Sequence, residues 1–442
     1  MRKLILFALA VIFTKSLFSQ EQAFSITACP AEDTRSGMNI SWATDKGIGK
    51  TQLQVAKASD TNWEKRIALD VDSKLCLTYD SIYSKTAKGE NYYEDVEINK
   101  YSASLYGLKK NTLYKYRVIA EGDTSSVHFF TTSGKKSWNA CIISDFHVYS
   151  PLYGRTKAAM DTIGKVEEHG KPFEWILHLG DITAWGGSYS FWKNLYTEKP
   201  FHNYMWAGVN GNHDNMTRTN KGNTNKFFRD AAAYPHNGYQ GEMGVCYWFK
   251  YGDVLFIMLN NENMKTPEAL AAAQEWVKKV VKENPSRFQV VCEHYQWFYG
   301  ETGKSSQYSR WSEVFDELGI DLALAGNNHI YASTHPVYGG EVVKPGKGTV
   351  YIQSTSSDNE RGVEVDLDKP LEHNADKIKF RWTEGGKTVS AMHMSVGRKK
   401  MVLTLLDREG KVLDVTKIKA ARRAAFFFLF VGKMIISPCQ IS

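Results

Sequence analysis

Five short polar motifs occur along this chain, and their residue types suit the binding of divalent metal ions. Each motif follows an apolar run with the pattern of a buried strand. The motifs are Asp145-Phe-His147, Gly180-Asp181, Gly211-Asn-His-Asp214, Val291-Cys-Glu-His294 and Gly326-Asn-Asn-His329, and the runs are Ala140–Ser144, Trp175–Leu179, Tyr204–Val209, Val290–Cys292 and Leu322–Ala325. Buried strands that end in Asp, Asn and His can bring these side chains to one point, where oxygen and imidazole nitrogen are the ligands that a pair of divalent metals needs.

Such a centre suits the hydrolysis of phosphate esters. This reaction needs a nucleophile at neutral pH, stabilisation of the phosphoryl charge and a proton for the leaving oxygen. Two divalent metals about 3.5–4 Å apart supply the first two by lowering the pKa of a bound water and clamping the phosphate. Asp181 is the candidate bridge between the metals, since Gly180 before it permits close backbone approach. The sequence therefore predicts a dinuclear hydrolase in which a metal-bound hydroxide attacks a phosphate mono- or diester.

The other motif residues supply further ligands. Asp145 and His147 are two residues apart and can reach one metal if the chain turns there. Asn212 offers an amide oxygen to the other metal, and His294 and His329 complete the imidazole set. One strand-end histidine alone is more often structural than a ligand, but five motifs in order are hard to explain by packing.

His213 and Asp214 are the candidate catalytic residues. His213 is next to a predicted ligand, so it is placed to donate a proton to the leaving group. Asp214 is predicted to orient the His213 ring and to raise its pKa toward the working range. Few Lys and Arg residues lie near the motifs, so the metals are expected to carry most of the phosphate charge.

Length and charge limit the classes of protein. A chain of 442 residues is expected to form two or three domains. The net charge of +7 is mild, and no dense Lys/Arg stripe with interleaved aromatic residues occurs, so nucleic-acid binding is not inferred. The expected partner is a small phosphate-ester substrate, and the sequence does not fix the oligomeric state.

The N-terminus has the pattern of a secretory signal peptide at residues 1–19. Arg2 and Lys3 precede the apolar run Leu4–Thr14, which is too short to span a bilayer. The protein is therefore expected to be exported to the periplasm, cell surface or medium without a transmembrane span. A retained N-terminal anchor is the alternative. In an oxidising compartment Cys29 and Cys76 could pair.

Residues 20–133 predict an all-β domain. Short alternating runs are separated by turn residues, and Leu108 followed by Tyr114 is similar to the tyrosine corner of immunoglobulin- and fibronectin-like sandwiches. The predicted strands are Asn39–Trp42, Thr51–Lys57, Tyr101–Tyr106, Tyr114–Ile119 and Val127–Thr132.

Residues 137–418 alternate apolar strands with helical segments, which predicts an α/β domain. One helix is expected to begin at Thr266-Pro267, and another over Ser309–Leu318 is expected to end at Gly319. Cys141 and Cys292 lie in apolar strands and are predicted to be buried free thiols. Residues 419–442 form a C-terminal tail to which no role is assigned.

With these motifs, the chain resembles the calcineurin-like metallophosphoesterase superfamily, and especially its purple acid phosphatase branch with a fibronectin type III-like N-terminal domain. The resemblance extends from about residue 39 to residue 406 and implies a four-layer α/β/β/α catalytic domain. It implies His213 as the catalytic histidine beside the phosphate. The ligands that it implies are Asp145, His147, Asp181 and His329 for the first metal, and Asp181, Asn212 and His294 for the second.

The sequence departs from the purple branch at two positions. Ala184 stands where that branch has the tyrosine that colours a ferric site, so a colourless enzyme with manganese, zinc or ferrous iron is expected. Asn327 stands where the family has a histidine ligand of the second metal. An amide oxygen binds more weakly than imidazole, so the second site is expected to have lower affinity.

Aromatic residues flank the motifs and could form a rim that stacks a base, sugar or aryl group, although core packing is the likelier role for any one of them. They are Trp185, Tyr189, Trp206, Tyr295 and Trp297. Two other functions remain open: a degenerate member that binds a glycan or cell-surface partner, and a structural ectodomain with one tight metal. Retention of His213, Asp214 and Asp181 favours the enzyme.

Overall fold

The computed structural model describes residues 21–83, 91–149, 154–169, 172–216, 224–358 and 361–420. The predicted leader and residues 421–442 of the predicted tail lie outside the described residues. The helices are α1 (Gly154–Glu168), α2 (Tyr189–Leu195), α3 (Lys199–Asn203), α4 (Asn212–Asn215), α5 (Lys226–Ala231), α6 (Pro267–Glu283) and α7 (Tyr308–Leu318), with 3-10 turns at Asn261–Asn263 and Gly385–Lys387. None of the described helices has the length and apolar character needed to cross a membrane.

The N-terminal region is all-β, as the alternating runs predict. Its strands are β1 (Ala23–Pro30), β2 (Met38–Asp45), β3 (Lys50–Lys57), β4 (Ile67–Asp72), β5 (Lys74–Tyr83), β6 (Asn91–Leu105), β7 (Leu113–Ala120), β8 (Asp123–Thr124) and β9 (His128–Thr131). The tyrosine corner is confirmed, because the backbone N–H of Lys109 donates a hydrogen bond of 2.9 Å to the hydroxyl of Tyr114. This contact fixes the turn before β7.

The second region contains two sheets. Its strands are β10 (Trp138–Ile143), β11 (Trp175–His178), β12 (Met205–Gly208), β13 (Tyr247–Tyr251), β14 (Val254–Met258), β15 (Phe288–Cys292), β16 (Leu322–Ala325), β17 (Tyr331–Thr334), β18 (Val337–Tyr338), β19 (Glu341–Val342), β20 (Val350–Gln353), β21 (Ile378–Trp382), β22 (Ser390–Val396), β23 (Lys400–Asp407) and β24 (Val412–Lys419). One sheet has the order β13-β14-β15-β16-β20-β17-β21, and β18 pairs with β19 as a separate hairpin.

The other sheet joins the two regions, which the sequence did not indicate. Its order is β24-β23-β22-β10-β11-β12-β1-β2-β6-β5, and β1 pairs in parallel with β12, with Ala28 opposite Met205. The N-terminal region is therefore hydrogen-bonded directly to the strand that precedes Asn212 and His213.

The two sheets pack face to face with helices on their outer faces, which confirms the predicted four-layer arrangement. Val254 and Phe256 of β14 belong to the core between the sheets, whereas Leu255 and Ile257 pack with residues of α6 and α7. This alternation follows from the period of two in a strand. Helix α1 packs on the outer face of β10, β22 and β23.

Both helix predictions are confirmed at their ends. The Thr266 hydroxyl accepts a hydrogen bond of 3.2 Å from the N–H of Ala269, and Pro267 is the first residue of α6. Gly319 ends α7 with φ of 64°, a conformation that glycine adopts without steric cost.

A disulfide between Cys29 and Cys76 is not formed, so that suggestion is wrong. Both thiols are free, and they lie on β1 and β5, with β2 and β6 between them. Three strand spacings amount to about 14 Å, beyond the reach of a disulfide. The prediction for Cys141 and Cys292 is confirmed: both thiols are free and fully buried, and burial raises the pKa of each.

A buried histidine beside a half-buried one makes stability depend on pH. The ring of His128 in β9 lies 4.2 Å from the ring of His202 in α3, measured between centroids. Burial and the nearby His202 lower the pKa of His128 from 6.5 to about 3. Because the folded pKa is below the unfolded one, this stability is complete above pH 6.5 and is lost as the pH falls toward 3. We expect a loss of about 2 kcal/mol between pH 6.5 and pH 5 from this residue.

Urea unfolding of the full chain at pH 7.5 and pH 5, with a chelator present, measures this loss. His128→Phe keeps an aromatic ring beside Tyr116 but cannot take up a proton. The free energy of unfolding of the variant should fall less between the two pH values, by about 2 kcal/mol. An equal fall in both proteins would contradict the assignment.

Candidate metal centre

The motif residues lie at the C-terminal ends of parallel strands in both sheets. Asp145 follows β10, Asp181 follows β11, and Asn212 begins α4 after β12. His294 follows β15 and His329 follows β16 in the second sheet. The carboxyl ends of parallel strands are where α/β proteins bind ligands, and here the two packed sheets bring both sets of ends together.

The backbone at this edge is held in an uncommon conformation. Among the described non-glycine residues, ten have positive φ, and five of these belong to the motifs. They are Asp145 (51°), His147 (41°), Asp181 (50°), Asn327 (67°) and His329 (59°). Such conformations cost free energy and concentrate at functional sites. Here the strained turns set the positions of the motif side chains at the expense of local stability.

Asp145 and two histidines form the first cluster of possible ligands. The Asp145 Oδ1 atom lies 3.3 Å from His329 Nε2, and one ligand atom each from Asp145, His147 and His329 lie within 4.8 Å of one another. Burial opposes ionisation of Asp145, but the His329 and His294 rings outweigh it and hold the pKa of this carboxyl below its usual value.

Asp181 lies between two histidines. Its Oδ2 atom is 3.3 Å from His147 Nε2, and its Oδ1 atom is 3.3 Å from His294 Nε2. Burial alone would lower the pKa of His294, but Asp181 and Asp145 raise it to about 10. The two carboxylates therefore favour a positive charge here, whether a proton on the ring or a metal cation.

Four buried polar atoms at this point make no hydrogen bond within the described parts of the chain. They are Asp145 Oδ1, His147 Nε2, Asn212 Oδ1 and His294 Nε2. Buried polar atoms without partners are rare and costly. Carboxylate, amide and imidazole atoms are also the ligands that divalent transition metals prefer, so the residues fit the binding of metal ions.

In each of the three candidate ligand histidines, the Nδ1 atom contacts a protein oxygen. His147 Nδ1 lies 2.8 Å from the Asp145 carbonyl and 3.1 Å from Asp358 Oδ2, and His294 Nδ1 lies 2.7 Å from the Leu179 carbonyl. His329 Nδ1 contacts the Arg361 carbonyl. Such contacts assign the proton to Nδ1 and leave Nε2 as the ligand atom.

The predicted role of Asp214 is wrong. Its Oδ1 atom accepts hydrogen bonds from the backbone N–H and the hydroxyl of Thr183, and its Oδ2 atom accepts one from the N–H of Gly211. The His213 Nδ1 atom instead lies 2.8 Å from the carbonyl of Ala184. Asp214 therefore fixes the turns around Asp181 and does not contact the His213 ring.

The electrostatic prediction for His213 is wrong as well. Burial lowers the pKa of His213, and the opposing pull of Asp181 does not reverse this. Burial and the like charge of Asp181 raise the pKa of Asp214 to about 7. His213 nevertheless lies at the centre, because its backbone N–H donates a hydrogen bond of 2.8 Å to Asp181 Oδ1.

Asn327 reaches the centre through its backbone. Its N–H donates a hydrogen bond of 3.0 Å to Asp145 Oδ2, and its side-chain amide donates one of 2.6 Å to Gln296 Oε1. The amide nitrogen is thus oriented by Gln296, which leaves the amide oxygen as the atom available to a cation.

The motif glycines allow backbone and ligands to approach closely. A Cβ atom at Gly211 would lie 2.2 Å from Asp181 Oδ1, and one at Gly180 would lie 2.3 Å from His294 Nδ1. Real Cβ contacts are never this short, so any other residue at these positions would displace a candidate ligand.

Two residues of the centre were missed in the sequence. Asp358 is fully buried, and its carboxylate contacts His147 Nδ1 through Oδ2 and the backbone N–H of Arg361 through Oδ1. The Arg361 guanidinium Nη2 lies 3.4 Å from His213 Nε2. The signal was present, because a run of Ser and Thr ending in Asp358 directly follows the buried strand β20.

The flanking aromatic residues differ in role. Trp206 and Trp297 are buried in the core, and Tyr189 packs against Phe24 of β1. Trp185 and Tyr295 are half-buried beside the centre, with their rings 6.0 Å from the His213 ring and 5.9 Å from the His294 ring, respectively. Of the five, these two have rings beside candidate site residues.

Comparison with known proteins agrees with this geometry. Residues 140–331 match the model of the calcineurin-like phosphoesterase family, and residues 24–132 match that of the N-terminal domain of purple acid phosphatases. No curated protein sequence matches the chain.

Two solved structures have a similar fold. Purple acid phosphatase PPD1 from yellow lupin (Lupinus luteus) seeds has a TM-score of 0.69 at 12% identity, with 91% of this chain and 75% of that chain covered. The structure of PhoD has a TM-score of 0.57 at 11% identity, with 91% of this chain and 94% of that chain covered.

The fold and the Asp/His clusters define a metal-dependent phosphoesterase. Residues 140–331 form a calcineurin-like phosphoesterase domain, and residues 24–132 form the N-terminal domain of purple acid phosphatases.

Proposed function

We propose that this protein is an exported dinuclear phosphohydrolase that cleaves phosphate mono- or diesters. The observation that carries the proposal is the position of Asp181, whose two carboxylate oxygens each lie 3.3 Å from a different histidine. A carboxylate with an imidazole beside each of its oxygens could be shared by two metal sites, one on each side. Export rests on the predicted signal peptide at residues 1–19.

The candidate ligands divide into two sets that share Asp181. Asp145, His147 and His329 would hold one metal, and Asn212, His294 and Asn327 would hold the other. When bound, two divalent metals lower the pKa of a water and neutralise charge on the phosphate. Manganese, zinc or ferrous iron suits these ligands. Ala184 supplies no phenolate, and its carbonyl contacts His213 instead, so we propose no obligatory ferric iron.

His213 is proposed to donate a proton from Nε2 to the leaving group while in its imidazolium form, which the negative charge of a bound phosphate would favour. Its Nδ1 atom is held by the Ala184 carbonyl, so Nε2 is the atom that can face a substrate. The ring lies 5.0 Å from that of His147, measured between centroids, which places it beside the metal ligands. Trp185, packed against His213, would shield this edge from water.

Hydrolysis by the full chain tests the proposal. We expect nitrophenyl phosphate or its diester to be cleaved when manganese or zinc is supplied and not after chelation. The preferred ester decides between phosphatase and phosphodiesterase. Failure to cleave either ester with either metal would contradict the proposal and favour a degenerate protein that binds a partner.

Asn327→His is expected to tighten the weaker metal site. Imidazole is a better ligand than an amide oxygen for zinc and manganese, so the dissociation constant of the second metal should fall about tenfold, measured by titration of the apo protein. Asn111→His is the control, because Asn111 has the same residue type and positive φ (51°) in an exposed turn of the N-terminal region. An unchanged second site in Asn327→His would show that this position is not a ligand.

A further inference from the structure

Arg361 is a cation at the centre that no sequence motif indicates. Its guanidinium Nη2 atom lies 3.4 Å from His213 Nε2, the nitrogen that faces the proposed leaving group. Within the described part of the chain, the guanidinium forms no ion pair with a carboxylate. Its positive charge beside the His213 ring adds to the attraction of this centre for an anionic substrate.

The backbone of Arg361 already holds its loop in place. Its N–H donates a hydrogen bond of 2.9 Å to Asp358 Oδ1, and its carbonyl contacts His329 Nδ1. Asp358 in turn contacts His147 Nδ1 at 3.1 Å. The loop therefore links both histidines of the first candidate metal site, and the guanidinium is not needed for this role. These main-chain contacts fix the backbone of Arg361, from which the side chain extends, relative to the metal ligands.

We propose that Arg361 binds the non-bridging oxygens of the substrate phosphate and gives the site a preference for phosphate monoesters. This inference rests on the proposed phosphohydrolase function. A guanidinium presents parallel N–H donors that match two oxygens of a phosphate, which a lysine ammonium does not. A monoester dianion has three non-bridging oxygens and two charges, whereas a diester has two oxygens and one charge. Arg361 supplies the additional positive charge and donors that a monoester can use.

Three variants of the full chain test this role. Arg361→Met removes the N–H donors with little change in side-chain length. Arg361→Lys keeps the positive charge but lacks the parallel N–H donors of a guanidinium. Arg398→Met is the control, because Arg398 is exposed in the hairpin between β22 and β23. That hairpin lies beside Trp138, at the end of β10 opposite Asp145.

The measurements are kcat/KM for nitrophenyl phosphate and its diester with manganese, and the dissociation constant of inorganic phosphate by calorimetry. In Arg361→Met we expect monoester kcat/KM and phosphate affinity to fall about 100-fold, and diester kcat/KM to fall about threefold. Arg361→Lys should lie between this variant and the wild type, and Arg398→Met should match the wild type.

Equal losses for both esters, or no loss for either, would overturn the inference. Equal losses together with lower metal content would assign Arg361 to the support of His329. If the wild type cleaves neither ester but Arg361→Met still weakens phosphate binding, the hydrolase proposal and the monoester preference fail, and phosphate binding by Arg361 stands. If phosphate binding is also unaffected, both fail.

Discussion

His213→Gln is expected to lower kcat for an alkyl phosphate about 1,000-fold, but kcat for nitrophenyl phosphate only about tenfold. An alkoxide leaving group needs a proton in the transition state, whereas nitrophenolate departs readily without one. The ring is positioned for this role because the Ala184 carbonyl holds Nδ1 and leaves Nε2 toward the substrate. Steady-state kinetics with the two esters measure the difference.

The metal content of His213→Gln shows whether His213 acts as a proton donor or as a metal ligand. His213, His147 and Asp181 also lie close enough together to hold an ion. A proton donor can be replaced without loss of metal, so the content should equal that of the wild type. The control is His169→Gln, an exposed histidine just after α1. Equal losses for both esters, or loss of one metal, would assign His213 to the ligands instead.

Asp358→Ala is expected to weaken the first metal site 10- to 100-fold and to lower hydrolysis in parallel, which is about the effect of removing a carboxylate behind a histidine ligand. The Asp358 carboxylate contacts His147 Nδ1 at 3.1 Å and also holds the Arg361 backbone. Its loss removes the charged partner of His147 Nδ1 and leaves the Asp145 carbonyl, at 2.8 Å, to orient the ring. Metal titration of the apo protein measures the affinity, and added metal should partly restore activity.

Asp321→Ala is the matched control for Asp358. Asp321 is also buried and accepts a backbone hydrogen bond from Gln289 at 2.9 Å, but it precedes β16 at the end away from His329. We expect this variant to lose stability while its metal affinity stays that of the wild type. If Asp358→Ala lost stability alone, Asp358 would be a packing residue.

The sequence was sufficient to predict that the candidate ligands lie together. Asp145, Asp181 and His294 each follow a buried strand, and parallel strands release their side chains at one edge of a sheet. This rule needs no knowledge of the strand order. The same rule would have found Asp358 after β20, because the polar residues that end this strand have the same pattern.

The contacts of Asp214 could not be predicted from its position beside His213. Adjacent residues in a short helix point in different directions, and the carboxylate of Asp214 turns toward the N–H groups of Thr183 and Gly211. Which partner it finds depends on how two separate loops approach each other. The Arg361 contact depends in the same way on the path of the chain after β20.

The joining of the two regions was also beyond the sequence pattern. β1 is buried along nearly its whole length, and nothing in its residues distinguishes β2 from β12 as a neighbour. A parallel pairing between Ala28 and Met205 is set by the packing of the whole chain. Sequence spacing does not reveal strand order, so it could not exclude a pair between Cys29 and Cys76 either.

The central claim is that Asp181 joins two metal ions in a hydrolytic site. Metal ions per chain and the hydrolysis of nitrophenyl phosphate and its diester, measured together in wild type and Asp181→Ala, test it most directly. The wild type should bind two ions and cleave at least one ester, and the variant should bind fewer and lose about 1,000-fold in rate. An Asp181→Ala protein that keeps both ions and the wild-type rate would contradict the account.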